Sequence, residues 1–264
     1  MPKILKIPKI IAIANQKGGV GKTTTSINLA TALSTINKKT LLIDLDPQGN
    51  ASTGLGINTN QRHYGTYELM IQDMPIEQCV VKTEIPNLYV IPSNEHLSGA
   101  ELELIDHDKR EFKLRKNLRD NLIDYDFVLI DCPPALGLLN INAFSASDSI
   151  LVPLQCEFYA LEGLSHLMRT IQRIRTNFNP DLDLQGIVLT MYDKRNNLSD
   201  LVAHDVRSFF GEKVYQTVIP RNVKISEAPS HGKPAIIYDY KCAGSQAYIH
   251  LAKELIKREK IVVH

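Results

Sequence analysis

A glycine-rich run, Asn15-Gln16-Lys17-Gly18-Gly19-Val20-Gly21-Lys22-Thr23-Thr24-Thr25, separates two segments of different character. Before it, Lys9 to Ala14 (KIIAIA) is a short apolar stretch that reads as a buried strand. After it, Ser26 to Ile36 carries Ile27, Leu29, Ala30 and Leu33 at helix spacing. A glycine loop between a strand and a helix is the setting in which such a loop binds phosphate. Glycines let backbone N–H groups turn inward around the anion, and the helix N-terminus adds unpaired donors and a favourable dipole. In this reading Lys22 reaches the terminal phosphates and the Thr23 hydroxyl ligates Mg²⁺. The strict Walker spacing asks for glycine where this chain has Gln16; a second lysine, Lys17, stands at the mouth of the loop.

The rest of the chain repeats the strand–helix alternation. Thr40 to Leu45 is a continuous apolar run, as expected of a parallel strand buried on both faces, and it leads into Asp44-Leu45-Asp46-Pro47-Gln48-Gly49. Carboxylates at the C-terminal end of such a strand lie where open α/β sheets bind ligands. Of Asp44 and Asp46, one could orient an attacking water and the other support Mg²⁺ or the loop; both could also be plain turn formers. A short helix is expected over Thr66 to Ile71, and extended pieces near Val80 and over Leu88 to Ile91. Asp108 to Leu122 reads as a charged amphipathic helix with Phe112, Leu114, Leu118 and Leu122 as its apolar stripe. Tyr125 to Asp131 (YDFVLID) is a buried strand that delivers Asp131 toward the Mg²⁺ shell, through water. Further strands are expected over Ser149 to Leu154, Leu184 to Met191 and Val214 to Ile219. Helices are expected over Leu161 to Ile174, Leu198 to Phe210 and Gly244 to Glu259. The fold class is therefore α/β, a mostly parallel sheet with helices on both faces.

Composition narrows the function. The 264 residues, 44% of them hydrophobic, suit one large domain over 1–264 with residues 1–8 as a lead-in, since no Gly-, Pro- or Ser-rich linker divides them. The net charge of +1 means that any nucleic-acid binding comes from a local patch. The four cysteines form no Cys-x-x-Cys pair and no secretory signal is evident, so reduced thiols in a cytoplasmic protein are expected. His63, His96 and His107 are isolated and read as surface residues rather than metal ligands.

Four stretches in order, Lys17 to Thr24 (KGGVGKTT), Asp44 to Gly49 (DLDPQG), Asp131 to Pro134 (DCPP), and Ile219 to Asn222 (IPRN) followed by Ser226 to Ser230 (SEAPS), together resemble the ParA/Soj family of partition ATPases, within the deviant Walker A class. The resemblance runs from about Lys9 to about Glu259. It implies a nucleotide site made of Lys17, Gly18, Gly19, Val20, Gly21, Lys22, Thr23 and Thr24, with Pro220 and Asn222 near the adenine. It implies that two chains close around two ATP molecules as a homodimer, with Lys17 crossing to the partner's phosphates, and that Asp46 is needed for hydrolysis. It further implies that the dimer binds double-stranded DNA without sequence preference through Arg195, Arg221 and Lys224, and that a ParB-type partner stimulates hydrolysis and releases it. A nucleoid-associated, cytoplasmic ATPase with ATP and Mg²⁺ as cofactors is the expected protein.

Three other readings share the loop. A MinD-like membrane-cycling ATPase needs a C-terminal amphipathic helix, and Ala252 to His264 lacks aromatics, so no membrane partner is expected. An iron–sulfur reductase needs bridging cysteines, and the surroundings of Cys132 and Cys156 do not suit one. A non-enzymatic DNA-binding regulator would bind DNA regardless of Lys22.

Overall fold

The computed structural model describes residues 7–119 and 124–262. Eight strands among them form one sheet in the order β3-β4-β2-β5-β1-β6-β7-β8. They are β1 (Lys9–Ile13), β2 (Thr40–Asp44), β3 (Val81–Lys82), β4 (Leu88–Ile91), β5 (Phe127–Asp131), β6 (Ser149–Gln155), β7 (Asp183–Tyr192) and β8 (Val214–Pro220). Every pairing is parallel except that of β3 with β4.

Continuous apolar runs were expected because both faces are covered, and side chains alternate between two cores. In β1, Ile10 and Ala12 point to one core and Ile11 and Ile13 to the other; in β5, Val128 and Ile130 oppose Phe127 and Leu129. The first core is closed by helices Thr66–Ile71, Lys113–Arg119, Leu138–Ala146, Ala160–Asn177 and Asn197–Phe210. The second is closed mainly by helices Lys22–Thr35 and Ala243–Val262. These two meet each other, with the Thr25 hydroxyl 3.2 Å from the Tyr248 hydroxyl. Each fully buried Leu or Ile contributes about 1.5–3 kcal/mol, so the sheet is held from both sides.

Most expected elements are present within a few residues of their expected ends. Thr66–Ile71 and Leu88–Ile91 match their expected bounds. The first helix starts at Lys22 rather than Ser26, because the lysine and threonines of the loop form its opening turn. A buried polar side chain turns back on its own helix, Thr31 donating to the Ile27 carbonyl at 2.8 Å. The charged segment from Asp108 enters its α-helix later than expected, through a 3₁₀ turn Arg110–Phe112 that leads into Lys113–Arg119. Leu114 and Leu118 are buried, Phe112 is half-buried against Phe178, and Leu122 lies outside the described residues. The helix Leu138–Ala146 had no expectation. It is buried almost all round, so no 3.6-residue stripe marks it.

His63 and His96 are exposed and His107 is half-buried. None of the four cysteines is in a disulfide. Burial pushes the Cys132 thiol well up, and it packs as a small apolar group. No helix among the described residues is long and apolar enough to cross a membrane.

Candidate phosphate-binding site

Strand order sets the site. β1 is central, with β5 on one side and β6 on the other, so the loop leaving β1 emerges between the ends of its two neighbours. Asn15 ties the loop to its flank: its amide donates to the Pro153 carbonyl at 2.8 Å, and its side-chain oxygen accepts from the Lys17 N–H at 3.0 Å. On the far side the Thr190 hydroxyl, from β7, donates to the Val20 carbonyl at 2.8 Å. Gly19 and Gly21 have φ of 74° and 91°, left-handed conformations that cost an L-residue roughly 1–2 kcal/mol. A Cβ built on Gly18 or Gly19 would meet nothing within 4 Å, so the mouth of the loop is open.

Lys22 is 7% exposed, and its ammonium bridges the loop by donating to the Lys17 carbonyl at 3.0 Å. Burial lowers its pKa, and the nearby carboxylates of Asp131 and Asp46 oppose that shift in part. Lys17 is exposed, and its side chain forms an ion pair with Glu157, in the loop after β6. Thr23 and Thr24 are half-buried in the first turn of the helix.

Asp131 ends β5 and is fully buried. The Ser26 hydroxyl donates to its Oδ1 at 2.8 Å, the Thr23 hydroxyl lies near enough to hold its pKa down in part, and Oδ2 has no hydrogen-bond partner. Asp44 ends β2 and is equally buried, and its Oδ2 accepts from the Ser52 N–H at 2.7 Å and hydroxyl at 2.6 Å. Burial raises both carboxyls; for Asp131, repulsion from Asp44 adds to the rise. Asp46 lies just past the strand in a tight turn. Its Oδ1 accepts from the Gln48 N–H at 3.0 Å and its carbonyl from the Gly49 N–H at 2.9 Å.

The structure thus brings Lys22, Thr23, Asp44, Asp46 and Asp131 to one end of the sheet. Pro220 ends β8 at that same end, and Asn222 caps the helix Val223–Glu227 by accepting from the Lys224 N–H at 2.9 Å. Arg221 is exposed, and its backbone N–H bonds to the Tyr192 carbonyl at 3.0 Å. Arg195 is paired with Asp193 at 2.9 Å and Lys224 with Glu227 at 3.0 Å, so two of the three basic candidates already have carboxylate partners. Ser26, Ser52, Arg62, Glu157 and Thr190 were missed by sequence reasoning. Nothing in the local sequence marks them, because each gains its partner only through folding.

A family model described as an AAA domain matches residues 8–184. The chromosome partitioning protein ParA of Caulobacter vibrioides is 58% identical over 254 residues, covering 96% of this chain and 95% of that protein. The chain belongs to the ParA/Soj family. The chromosome-partitioning ATPase Soj of Treponema pallidum is 47% identical, covering 95% of this ParA/Soj chain and 98% of that protein. Among solved structures, cobyrinic acid a,c-diamide synthase from Mycobacterium smegmatis, with bound ADP and magnesium, superposes with a TM-score of 0.84 at 35% identity, covering 96% of each chain. As a ParA/Soj protein the chain is a chromosome-partitioning ATPase built on the P-loop fold.

Proposed function

We propose that this ATPase works as an ATP-gated dimer: two chains close around two nucleotides, and only the closed pair grips DNA, releasing it when a ParB-type partner stimulates hydrolysis. The observation that carries the reading is the position of Lys17. Its side chain stands at the mouth of the loop, 47% exposed, and pairs with Glu157 rather than turning into its own phosphate cradle. A lysine so placed can exchange that exposed ion pair for the phosphates of a second chain. Exposed apolar side chains support the same face as an interface. Phe158 (76%), Tyr159 (65%), Leu201 (58%) and Val223 (69%) follow the C-terminal ends of β6, β7 and β8.

The residues suit Mg-ATP. The partnerless Oδ2 of buried Asp131, beside the Thr23 hydroxyl, fits Mg²⁺ held by Thr23 directly and by Asp131 through water. Bound there, the ion neutralises phosphate charge. The N–H groups of Gly18 to Thr24 cradle the phosphates, and Lys22 leaves the Lys17 carbonyl to meet them. Asp46 orients the attacking water, a task that needs positioning more than covalent chemistry. Pro220 and Asn222 border the adenine. Arg221, Arg195 and Lys224 supply phosphate contacts to the duplex, and pairing two modest patches suits a chain of net charge +1.

One continuous sheet with a core on each face supports a single ATPase domain; the DNA-bound state proposed here puts that domain in the cytoplasm, on the nucleoid. A membrane-cycling reading is less well supported. Leu251 and Leu255 of the C-terminal helix are buried in the second core and Ile256 packs against it, so that apolar side is already used.

Sedimentation with and without Mg-ATP and DNA, on wild type and Asp46→Ala, tests the proposal. The expected result is a nucleotide-dependent dimer in both, with Asp46→Ala accumulating on DNA. A chain that stays monomeric in saturating Mg-ATP yet holds DNA as firmly as without nucleotide would refute it.

A further inference from the structure

We propose that Arg62 is a positioning residue for hydrolysis, holding the turn that carries Asp46 by clamping Gly49. The idea rests on the reading of Asp46 given above. The Arg62 guanidinium is the hub of the loop after β2. Its Nε and one terminal nitrogen donate to the Ile57 carbonyl at 3.1 and 2.7 Å, and that terminal nitrogen also reaches the Thr53 hydroxyl at 2.8 Å. The other terminal nitrogen lies 3.4 Å from both the Gly49 and the Ser93 carbonyls. One planar group therefore joins three points of the loop to the residue leaving β4.

Gly49 transmits this to the turn. Its N–H closes the turn on the Asp46 carbonyl at 2.9 Å, and its φ is 64°. A Cβ at Gly49 would come within 2.5 Å of the guanidinium, so the two groups are fitted to each other. Arg62 makes no hydrogen bond to Asp46 itself. A lysine has one nitrogen on a flexible stem and cannot reproduce a fork that spans four acceptors. The clamp leaves the loop after β1 untouched, so loosening it should misplace Asp46 without weakening the phosphate cradle. Misplacement of about 1 Å costs up to about a hundredfold in rate.

The test compares Arg62→Ala and Arg62→Lys with wild type in steady-state hydrolysis at saturating Mg-ATP, in Mg-ATP binding and in thermal melting. The expected result is a fall in kcat of about tenfold or more in both variants, with Mg-ATP affinity kept within about twofold. Guanidinium chloride at millimolar concentration should restore turnover to Arg62→Ala and not to Arg62→Lys. Wild-type kcat in Arg62→Ala, absence of guanidinium rescue, or a fall in kcat that merely follows loss of folded protein would each overturn the proposal. Asp46→Ala is measured alongside. If it turns over like wild type, the reading beneath the proposal fails; if it stalls while Arg62→Ala is normal, only the role of Arg62 fails.

Discussion

Asp44 and Asp131 stand opposite each other in register at the ends of the adjacent parallel strands β2 and β5, both fully buried. Two carboxylates so placed repel each other and lack the water that would screen them. Asp44→Asn keeps an acceptor for Ser52 and removes one charge. Burial and that repulsion push Asp131 up to about 8, so above pH 8, where both would be charged, the nucleotide-free variant should melt no lower than wild type, and higher by about 2–4 °C for each kcal/mol of repulsion relieved. Differential scanning calorimetry without nucleotide checks this; a clear drop in melting temperature would mean that the Ser52 bonds need the charged form.

Lys22→Ala removes the cation that faces Asp131 and Asp46 inside the phosphate cradle. Each charge-assisted bond lost costs about 1.5–3 kcal/mol, so Mg-ATP affinity should fall by about a hundredfold, and ATP-dependent DNA binding with it. Calorimetric titration with Mg-ATP is the measurement. Normal affinity would refute the loop assignment, and DNA binding that survives would favour a non-enzymatic regulator.

Arg221→Glu reverses the exposed basic candidate that, unlike Arg195 and Lys224, forms no salt bridge among the described residues. DNA affinity should fall equally for all sequences, the salt dependence should flatten, and ATP-driven dimerisation should persist. Fluorescence anisotropy on unrelated duplexes at several salt concentrations reads this out. Unchanged affinity would place the DNA on another face.

Gly56 and Gly232 pack backbone to backbone, joining the loop after Asp46 to the Ser226–Gly232 segment. Both have positive φ, 78° and 60°, and a Cβ on Gly56 would meet the Gly232 carbonyl at 2.9 Å. Gly56→Ala should cost roughly 1–3 kcal/mol through strain and crowding together. Urea unfolding monitored by circular dichroism would show the midpoint move; an unmoved midpoint would mean that the loop relaxes freely.

Glu254 supplies a pH-dependent part of stability. Its carboxylate accepts from the Gln216 and Thr217 N–H groups at 2.9 and 3.0 Å and pairs with Arg258 at 2.8 Å. Burial would raise its pKa, but these bonds outweigh burial and hold it below the ordinary 4.5. The folded form thus binds its proton less readily than the unfolded chain. The contribution is complete above 4.5 and is lost as pH falls through the folded value. Melting temperatures between pH 7 and pH 3 should fall more steeply in wild type than in Glu254→Gln. Parallel curves would assign the acid sensitivity to other groups.

The phosphate loop, the alternation of strands and helices, and the family were legible in the chain. Glycine chemistry and apolar runs are local properties, and the four stretches that carry the resemblance are contiguous. The helix Leu138–Ala146 was not legible, since a helix buried all round shows no stripe. Nor were the partners of the site. Thr190 reaches Val20 across 170 residues of sequence, Glu157 reaches Lys17 across 140, and Ser26 reaches Asp131 across 105.

By itself the sequence determined which segments are strands, which loop takes phosphate and which carboxylates end strands, because backbone conformation and burial pattern are written into neighbouring residues. Only the tertiary structure decided that β5 lies between β1 and β2. That order sets Asp131 against Asp44 and leaves Asp131 Oδ2 without a partner beside Thr23. It is fixed by how the helices share the two faces of the sheet, a balance of packing over the whole chain that no local pattern encodes.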